Sequence, residues 1–170
     1  ALEGSNIEDW GQTDGRGLDY EYVSGGVGAD IHAGVEIMKW LSLRLGYHHF
    51  GNQEADIFNG NTYAGEVVVE SDGNYFAVDA LYPFNERVMA GITLGSLNWD
   101  AEATGRDNTG NATRSTESGR DGFGGLRGRV LMYEGRAALT AFIYRYNLDT
   151  DDTTKDFEYG SMGLGFEVRF

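Results

Sequence analysis

The chain has 170 residues, no cysteine, one proline, 26 glycines and a formal net charge of −14. Without cysteine there is no disulfide framework and no thiolate metal site, and so much glycine without a collagen period argues against a helical protein. The acidic balance, with a pI near 4.4, repels phosphate backbones and sets nucleic acid aside as a partner.

No run of about 18 apolar residues is present, so the sequence predicts no transmembrane helix. It shows no signal peptide either, so an exported protein would be represented here by its mature chain. The mean hydropathy of −0.40 is a poor test for a membrane barrel, whose strands meet lipid only at every second residue.

In chain order, residues 1–17 (ALEGSNIEDWGQTDGRG) are acidic and glycine-rich and read as an irregular N-terminal segment or first loop. Seven strands are then predicted, over 20–38, 40–50, 66–83, 87–104, 122–133, 136–148 and 156–170, each by period-two alternation. In the first, Ala29, Ile31, Ala33, Val35 and Ile37 alternate with Asp30, His32, Gly34 and Glu36. In the second, Leu41, Leu43, Leu45 and Tyr47 alternate with Ser42, Arg44, Gly46 and His48. The third sets Phe76, Val78, Ala80 and Tyr82 against Tyr75, Ala77, Asp79 and Leu81. The fourth sets Val88, Ala90, Ile92 and Leu94 against Met89, Gly91, Thr93 and Gly95. In the fifth, Leu126, Val130 and Met132 oppose Arg127 and Arg129. In the sixth, Ala138, Thr140, Phe142, Tyr144 and Tyr146 oppose Leu139, Ala141, Ile143 and Arg145. In the last, Met162, Leu164, Phe166, Val168 and Phe170 oppose Ser161, Gly163, Gly165, Glu167 and Arg169.

The polar faces mix charges with glycines. A soluble sandwich turns large apolar residues inward, whereas a narrow membrane barrel turns them outward and fills its lumen with small or charged groups. Connections alternate in length. Short ones lie at Met38-Lys39-Trp40, Pro83-Phe84-Asn85-Glu86-Arg87 and Tyr133-Glu134-Gly135-Arg136, and long polar loops are predicted at 51–65, 100–121 and 147–156. Aromatic residues gather near strand ends, among them Trp40, Tyr47, Tyr82, Phe84, Trp99 and Tyr133. The alternating lengths are those of an outer-membrane barrel, and the aromatic positions fit its interfacial girdles and an ordinary core equally well.

A closed antiparallel bacterial barrel normally has an even number of strands, and an unpaired edge in lipid is very costly. Three readings stay open: residues 1–10 pair after all, a first strand is missing, or another chain donates one.

The order of these elements resembles the OmpA-like eight-stranded outer-membrane barrels over residues 25–170. The pieces that carry it are Leu45-Gly46-Tyr47, Leu81-Tyr82-Pro83, Ile92-Thr93-Leu94-Gly95-Ser96-Leu97-Asn98-Trp99, and the ending Gly163-Leu164-Gly165-Phe166-Glu167-Val168-Arg169-Phe170. The ending resembles the C-terminal insertion signal of outer-membrane proteins. The resemblance implies an all-β, up-and-down antiparallel transmembrane barrel, most simply of eight strands, in the bacterial outer membrane. It also implies a charged cluster in the lumen. Arg44 falls where the family has an acid and Asp79 where it has a lysine, so an internal salt bridge is kept with its signs reversed. Glu36, Arg127, Arg129, Arg145 and Glu167 extend this structural network, since buried ions must be paired. Arg169 is read as lying at a barrel mouth. The inward positions Leu81, Leu139 and Ile143 depart from the family and make part of the interior apolar.

Little points to catalysis. His48 and His49, adjacent on a strand, face opposite sides and cannot chelate one metal together, while His32 and His48 face inward on neighbouring strands. The chain has no His-x-Ser motif, GxSxG, P-loop or HExxH. Asp149, Asp151 and Thr153 begin like a calcium loop, but the glycine and the closing glutamate such a loop needs are missing. Gly124, Gly125 and Gly128 suit close packing or strand bending. The expectation is therefore a barrel with no catalytic site, cofactor or metal. Its partners are outer-membrane lipid and an extracellular partner at the loops 51–65, 100–121 and 147–156, with self-association possible. The function is structural, adhesive or ligand-binding. One alternative is a small channel or carrier, with Leu81, Trp99, Leu139 and Ile143 in the passage. The other is a secreted subunit that self-assembles by strand exchange.

Overall fold

In a computed structural model, the described residues are 2–9, 18–149 and 156–168. They form nine antiparallel strands: β1 Leu2–Asp9, β2 Leu18–Ser24, β3 Val27–Met38, β4 Leu41–Asn59, β5 Thr62–Pro83, β6 Val88–Asp107, β7 Ala112–Met132, β8 Ala137–Asp149 and β9 Asp156–Val168. Each of β3 to β8 pairs with its successor in the chain, and β1 pairs with both β3 and β9. The ladder therefore returns to its start, and the sheet is a small barrel whose ring contains eight strands. β2 stands outside that ring, paired with the upper part of β4 above β3.

Of the readings left open for the N-terminus, the structure shows the first. Leu2–Asp9, within the segment 1–17 read as irregular, is the strand that completes the ring: Leu2 pairs with Ala29 on one side and Leu164 on the other. Its acidic, glycine-bearing sequence carries little strand propensity. The ladder with β9, and at Leu2 to Gly4 a second one with β3, supplies the hydrogen bonds that propensity does not.

Alternation sorts the side chains as a barrel requires. Ile31, Leu45, Ile92, Leu94, Leu126, Ile143, Leu164 and Phe166 are exposed on the outer wall, while Arg44, Tyr75, Asp79, Thr93, Leu97, Arg127, Thr140, Tyr144 and Tyr159 are buried within. On β8 the inward set is Thr140, Phe142, Tyr144 and Tyr146, and Leu139 and Ile143 stand exposed outside. That corrects the expectation that Leu139 and Ile143 line the lumen. The alternation was legible but its sense was inverted, because a tyrosine carries both a ring and a hydroxyl and satisfies a mixed interior better than isoleucine does.

At the short-turn end, Trp40, Tyr82, Phe84 and Tyr133 project outward. At the other end the strands run on. The segments expected to be loops at 51–65 and 100–121 are mostly strand: β4 and β5 pair to Asn59 and Thr62, and β6 and β7 pair to Arg106 and Ala112. Polar, charged alternation reads as loop in a sequence, but it suits a sheet with solvent on its faces. Residues 150–155, within the expected loop 147–156, lie outside the described residues, as do Arg169 and Phe170.

The strands leave the barrel through a bulge. In β4, His49 pairs with Asp72 and Gly51 with Ser71, so Phe50 is an extra residue. Gly51 has φ +76, and a Cβ there would meet the carbonyl oxygen of Val27 at 2.6 Å. Only glycine fits that conformation and that approach. The bulge shifts the alternation, so that Gln53 and Ala55 continue the buried face that Arg44 and His48 begin.

Candidate functional site

Two regions could carry function: the packed lumen and the projecting sheet. The lower lumen is a polar network centred on Arg44 and Asp79, whose side chains are 3% and 0% exposed. Arg44 Nε donates to Asp79 Oδ2 at 2.7 Å, and Nη2 donates to Oδ1 at 3.0 Å. Thr93 Oγ1 donates to Asp79 Oδ1 at 2.7 Å, and Ser42 Oγ to Oδ2 at 3.3 Å. The remaining guanidinium donors reach Tyr75 Oη at 3.0 Å and Tyr144 Oη at 3.1 Å. The carboxylate thus has four donors, which is how a desolvated ion is held at tolerable cost.

Arg127 donates to Tyr144 Oη at 2.9 Å and pairs with Glu167, and Arg129 reaches Glu36 at 3.1 Å and Glu167 at 3.1 Å. These contacts join β3, β7, β8 and β9 across the interior. His32 lies 2.6 Å from Asp30 and 3.4 Å from Glu167, and His48 lies 3.7 Å from Asp30. The structure therefore brings together Glu36, Arg44, Asp79, Arg127, Arg129 and Glu167. It leaves Arg145 out: that residue is exposed, on the outer face of β8 beside Ile143 and opposite Tyr144 and Tyr146. The inverted sense of alternation on β8 is the reason.

Sequence reasoning missed Asp30, Tyr75 and Tyr144 as members of this network. Asp30 was on the right face, two residues before His32. The tyrosines carried no signal of their own, because a hydroxyl in a lumen cannot be told from a ring in a girdle.

Above the network the lumen is aromatic. Phe50, Phe123, Tyr144, Tyr146 and Tyr159 form a cluster in which Phe50 and Tyr146 meet edge-on at 4.9 Å and Phe123 stacks on Tyr146 at 4.9 Å. Tyr159 Oη and Ser71 Oγ are 3.1 Å apart across the interior. Three rings lie over glycines directly opposite them in the ladder: Tyr75 over Gly46, Phe123 over Gly95 and Trp99 over Gly119. A Cβ at those glycines would approach the rings to 2.6, 2.3 and 2.8 Å. Ring-on-glycine pairing explains these three glycines: the rings fill the lumen and need bare backbone beneath them. Of the residues expected to line a passage, Leu81 and Trp99 are inside, each 2% exposed, with Trp99 Nε1 donating to Asp121 at 2.6 Å. Among the described residues no group of three or more His, Asp or Glu is placed to hold a metal ion.

The projecting sheet follows the order β2, β4, β5, β6, β7. Its inner seam holds Val67, Val69, Ala101 and Ala103 against the aromatic cluster. Among the described residues, β7 and β8 pair only from Phe123 and Tyr146 downward, and residues 112–122 pair in the sheet with β6 alone. The β6–β7 turn is tied by Asp107, whose carboxylate accepts from the Thr109 amide at 2.9 Å, the Thr109 hydroxyl at 2.7 Å, the Asn111 amide at 2.8 Å and the Asn111 side-chain amide at 3.0 Å. These bonds hold the exposed Asp107 carboxyl down at about 2.

No protein-family model matches the chain, and no curated protein matches it in sequence. Among solved structures, it resembles the crystal structure of Ail, the attachment invasion locus protein of Yersinia pestis, with a TM-score of 0.56 and 14% identity over 99% of this chain and 93% of that one. This chain has the same small β-barrel fold. At that identity the likeness speaks to architecture alone.

Proposed function

We propose that the chain is a bacterial outer-membrane barrel whose projecting sheet binds a partner at the cell surface, as an adhesin does. The observation that carries this reading is a contrast along the strands. Their lower halves wear an outward apolar belt ended by Trp40, Tyr82, Phe84 and Tyr133. Their upper halves, in β4 to β7, continue with charged and polar faces. About 10 residues of a tilted strand cross a bilayer. β5 has 22 residues and β7 has 21, so about half of each would stand in water. Within that part, the edge of β7 over 112–122, which meets no second strand among the described residues, offers a site where an extended segment can add itself. Ail, an attachment invasion locus protein, has the same architecture, so this fold can carry an attachment role.

The lumen serves this function as a foundation. Its ion pairs and rings cross from wall to wall, which suits a rigid mount for the sheet above it. Leu139 and Ile143 stand outside, so a passage for an apolar solute loses half of its expected lining.

The test is to display the barrel on cells and compare it with a form whose β6–β7 hairpin is shortened at the paired positions Ala103 and Ser115. Cells bearing the full barrel are expected to adhere to a host-cell layer more than tenfold better than cells bearing the shortened one. Equal adherence, with both forms folded and at the surface, would contradict the proposal.

A further inference from the structure

Above Phe123 and Tyr146 the strands β7 and β8 part. β8 goes on to Asp149 paired with β9, while β7 over 112–122 is paired with β6. The described residues thus leave a fork, open upward, with the β7 edge as one of its sides. Alternate residues of a strand turn their N–H and C=O to the same side, so this edge presents a row of donors and acceptors to the fork.

The charges along the edge are sorted by face. Glu117, Gly119 and Asp121 pair with Ala101, Trp99 and Leu97 and share the inner face, where Trp99 Nε1 donates to Asp121 at 2.6 Å. Arg114 and Arg120 pair with Thr104 and Asn98 and share the outer face. There Arg114 is joined to Glu102, and Arg120 Nε donates to Ser96 Oγ at 3.2 Å. Over 112–122 every acid is turned inward and every arginine outward.

This sorting argues against a second copy as the occupant. A parallel copy would drive its own lower half into β8, which already pairs with β7 from Phe123 to Met132. An antiparallel copy would have to use the same edge, and so would join like face to like face. Centred in the fork, it would set Glu117 against Glu117 and Arg114 against Arg120. Like charges directly opposite one another destabilise a ladder, and opposite charges stabilise it.

We propose that the fork receives one extended segment of a different polypeptide, antiparallel to β7 and in the line that β8 leaves. Its basic residues lie opposite Glu117 and Asp121, on the inward face, and its acidic residues lie opposite Arg114 and Arg120, on the outward face. Backbone pairing supplies the attachment, and the face-sorted charges select the partner and its register. A slip of one residue would put every charge on the wrong face.

This inference deepens the surface-binding reading above and rests on it. The barrel in detergent micelles is mixed with the peptide Lys-Glu-Thr-Thr-Lys-Thr-Thr-Glu-Thr, which lays the pattern antiparallel along positions 121 to 113. The control is the same peptide with every lysine and glutamate exchanged. The first peptide is expected to slow exchange of the fork-facing amides of 112–122 at least tenfold, at a concentration where the control slows it less than twofold. Glu117→Lys is expected to weaken the first peptide at least threefold, and glutamate in place of the peptide's second lysine to restore binding to that variant. Equal protection by both peptides, or none by either, would overturn the proposal. So would fork-facing amides that already exchange slowly in the chain alone, which would make the chain its own occupant. Disulfides forming between Glu117→Cys chains when two populations of vesicles are mixed would make a second copy the occupant and overturn it as well. Failure here is distinct from failure of the adhesive reading. Adherence that needs the β6–β7 hairpin while both peptides fail would overturn this inference alone. Selective protection with adherence indifferent to the hairpin would uphold the fork's chemistry and overturn the adhesive reading.

Discussion

Arg44 and Asp79 are joined diagonally across the β4–β5 seam, not directly. The ladder sets Asp79 opposite Ser42 and Arg44 opposite Ala77, yet the guanidinium reaches down two residues to take both carboxylate oxygens. That reach leaves the other guanidinium donors free to meet Tyr75 and Tyr144. One ion pair thereby ties β4 and β5 to β8 on the far side of the lumen.

Removing one partner strands a buried charge, which costs about 3–5 kcal/mol. Asp79→Ala and Arg44→Met are each expected to lose stability of that order in urea unfolding from micelles. The double change is expected to lose clearly less than the sum. Additive losses would show that the two side chains do not act as a pair.

The ring-on-glycine packing and the tight strand crossings make the glycines unequal. At Gly125 a Cβ would lie 2.0 Å from the Ile143 carbonyl oxygen, whereas at Gly105 the nearest atoms are 4.0 Å away. Gly125→Ala is expected to cost about 1–3 kcal/mol as overpacking, and Gly105→Ala to stay within about 0.5 kcal/mol. The same unfolding measurement checks both, and equal costs would contradict the packing described.

Acid should loosen the β6–β7 turn late. The Asp107 carboxyl is held at about 2 in the folded hairpin, below its unfolded value of about 3.9. Its depressed pKa means that its contribution is fully present above about pH 4 and is lost as pH falls through about 2. The Thr109 and Asn111 amide resonances are expected to titrate together with a midpoint near 2, and Asp107→Asn to abolish that titration. A midpoint near 4 would mean that the four hydrogen bonds do not form in solution.

The two tryptophans with described surroundings should report opposite environments. Trp40 is 50% exposed on the outer wall and Trp99 is 2% exposed. In vesicles containing brominated acyl chains, a chain retaining only Trp40 is expected to be strongly quenched, and one retaining only Trp99 much less so. Similar quenching of both would contradict the placement of Trp40 in the lipid-facing girdle.

Much of this architecture was legible because a barrel writes itself as alternation. Ser42, Arg44 and His48 were correctly separated from Leu43 and Leu45 by period alone, and so were Tyr75, Ala77 and Asp79 from Phe76 and Val78. β8 shows where alternation stops informing. Both of its faces carry large side chains, and only the partners across the lumen decide that Tyr144 points in and Ile143 out. β1 is hard to read for a different reason: its strand conformation comes from the ladder with β9, joined at Leu2 to Gly4 by one with β3, and not from Leu2–Asp9 itself. The long upper strands read as loops in the sequence because solvent on their faces removes the apolar half of the pattern. The charged lumen residues were accessible through resemblance, but their tyrosine partners were not, since nothing in a sequence says which rings will meet which guanidinium.

The central claim is that the exposed apolar belt faces lipid. The most direct test is to fold the chain in phospholipid vesicles and compare its gel mobility before and after boiling. This account predicts a chain that aggregates without detergent or lipid, folds in vesicles, and runs at a different position when unboiled. A chain that stays monomeric in plain buffer, with one mobility in both states, would contradict it.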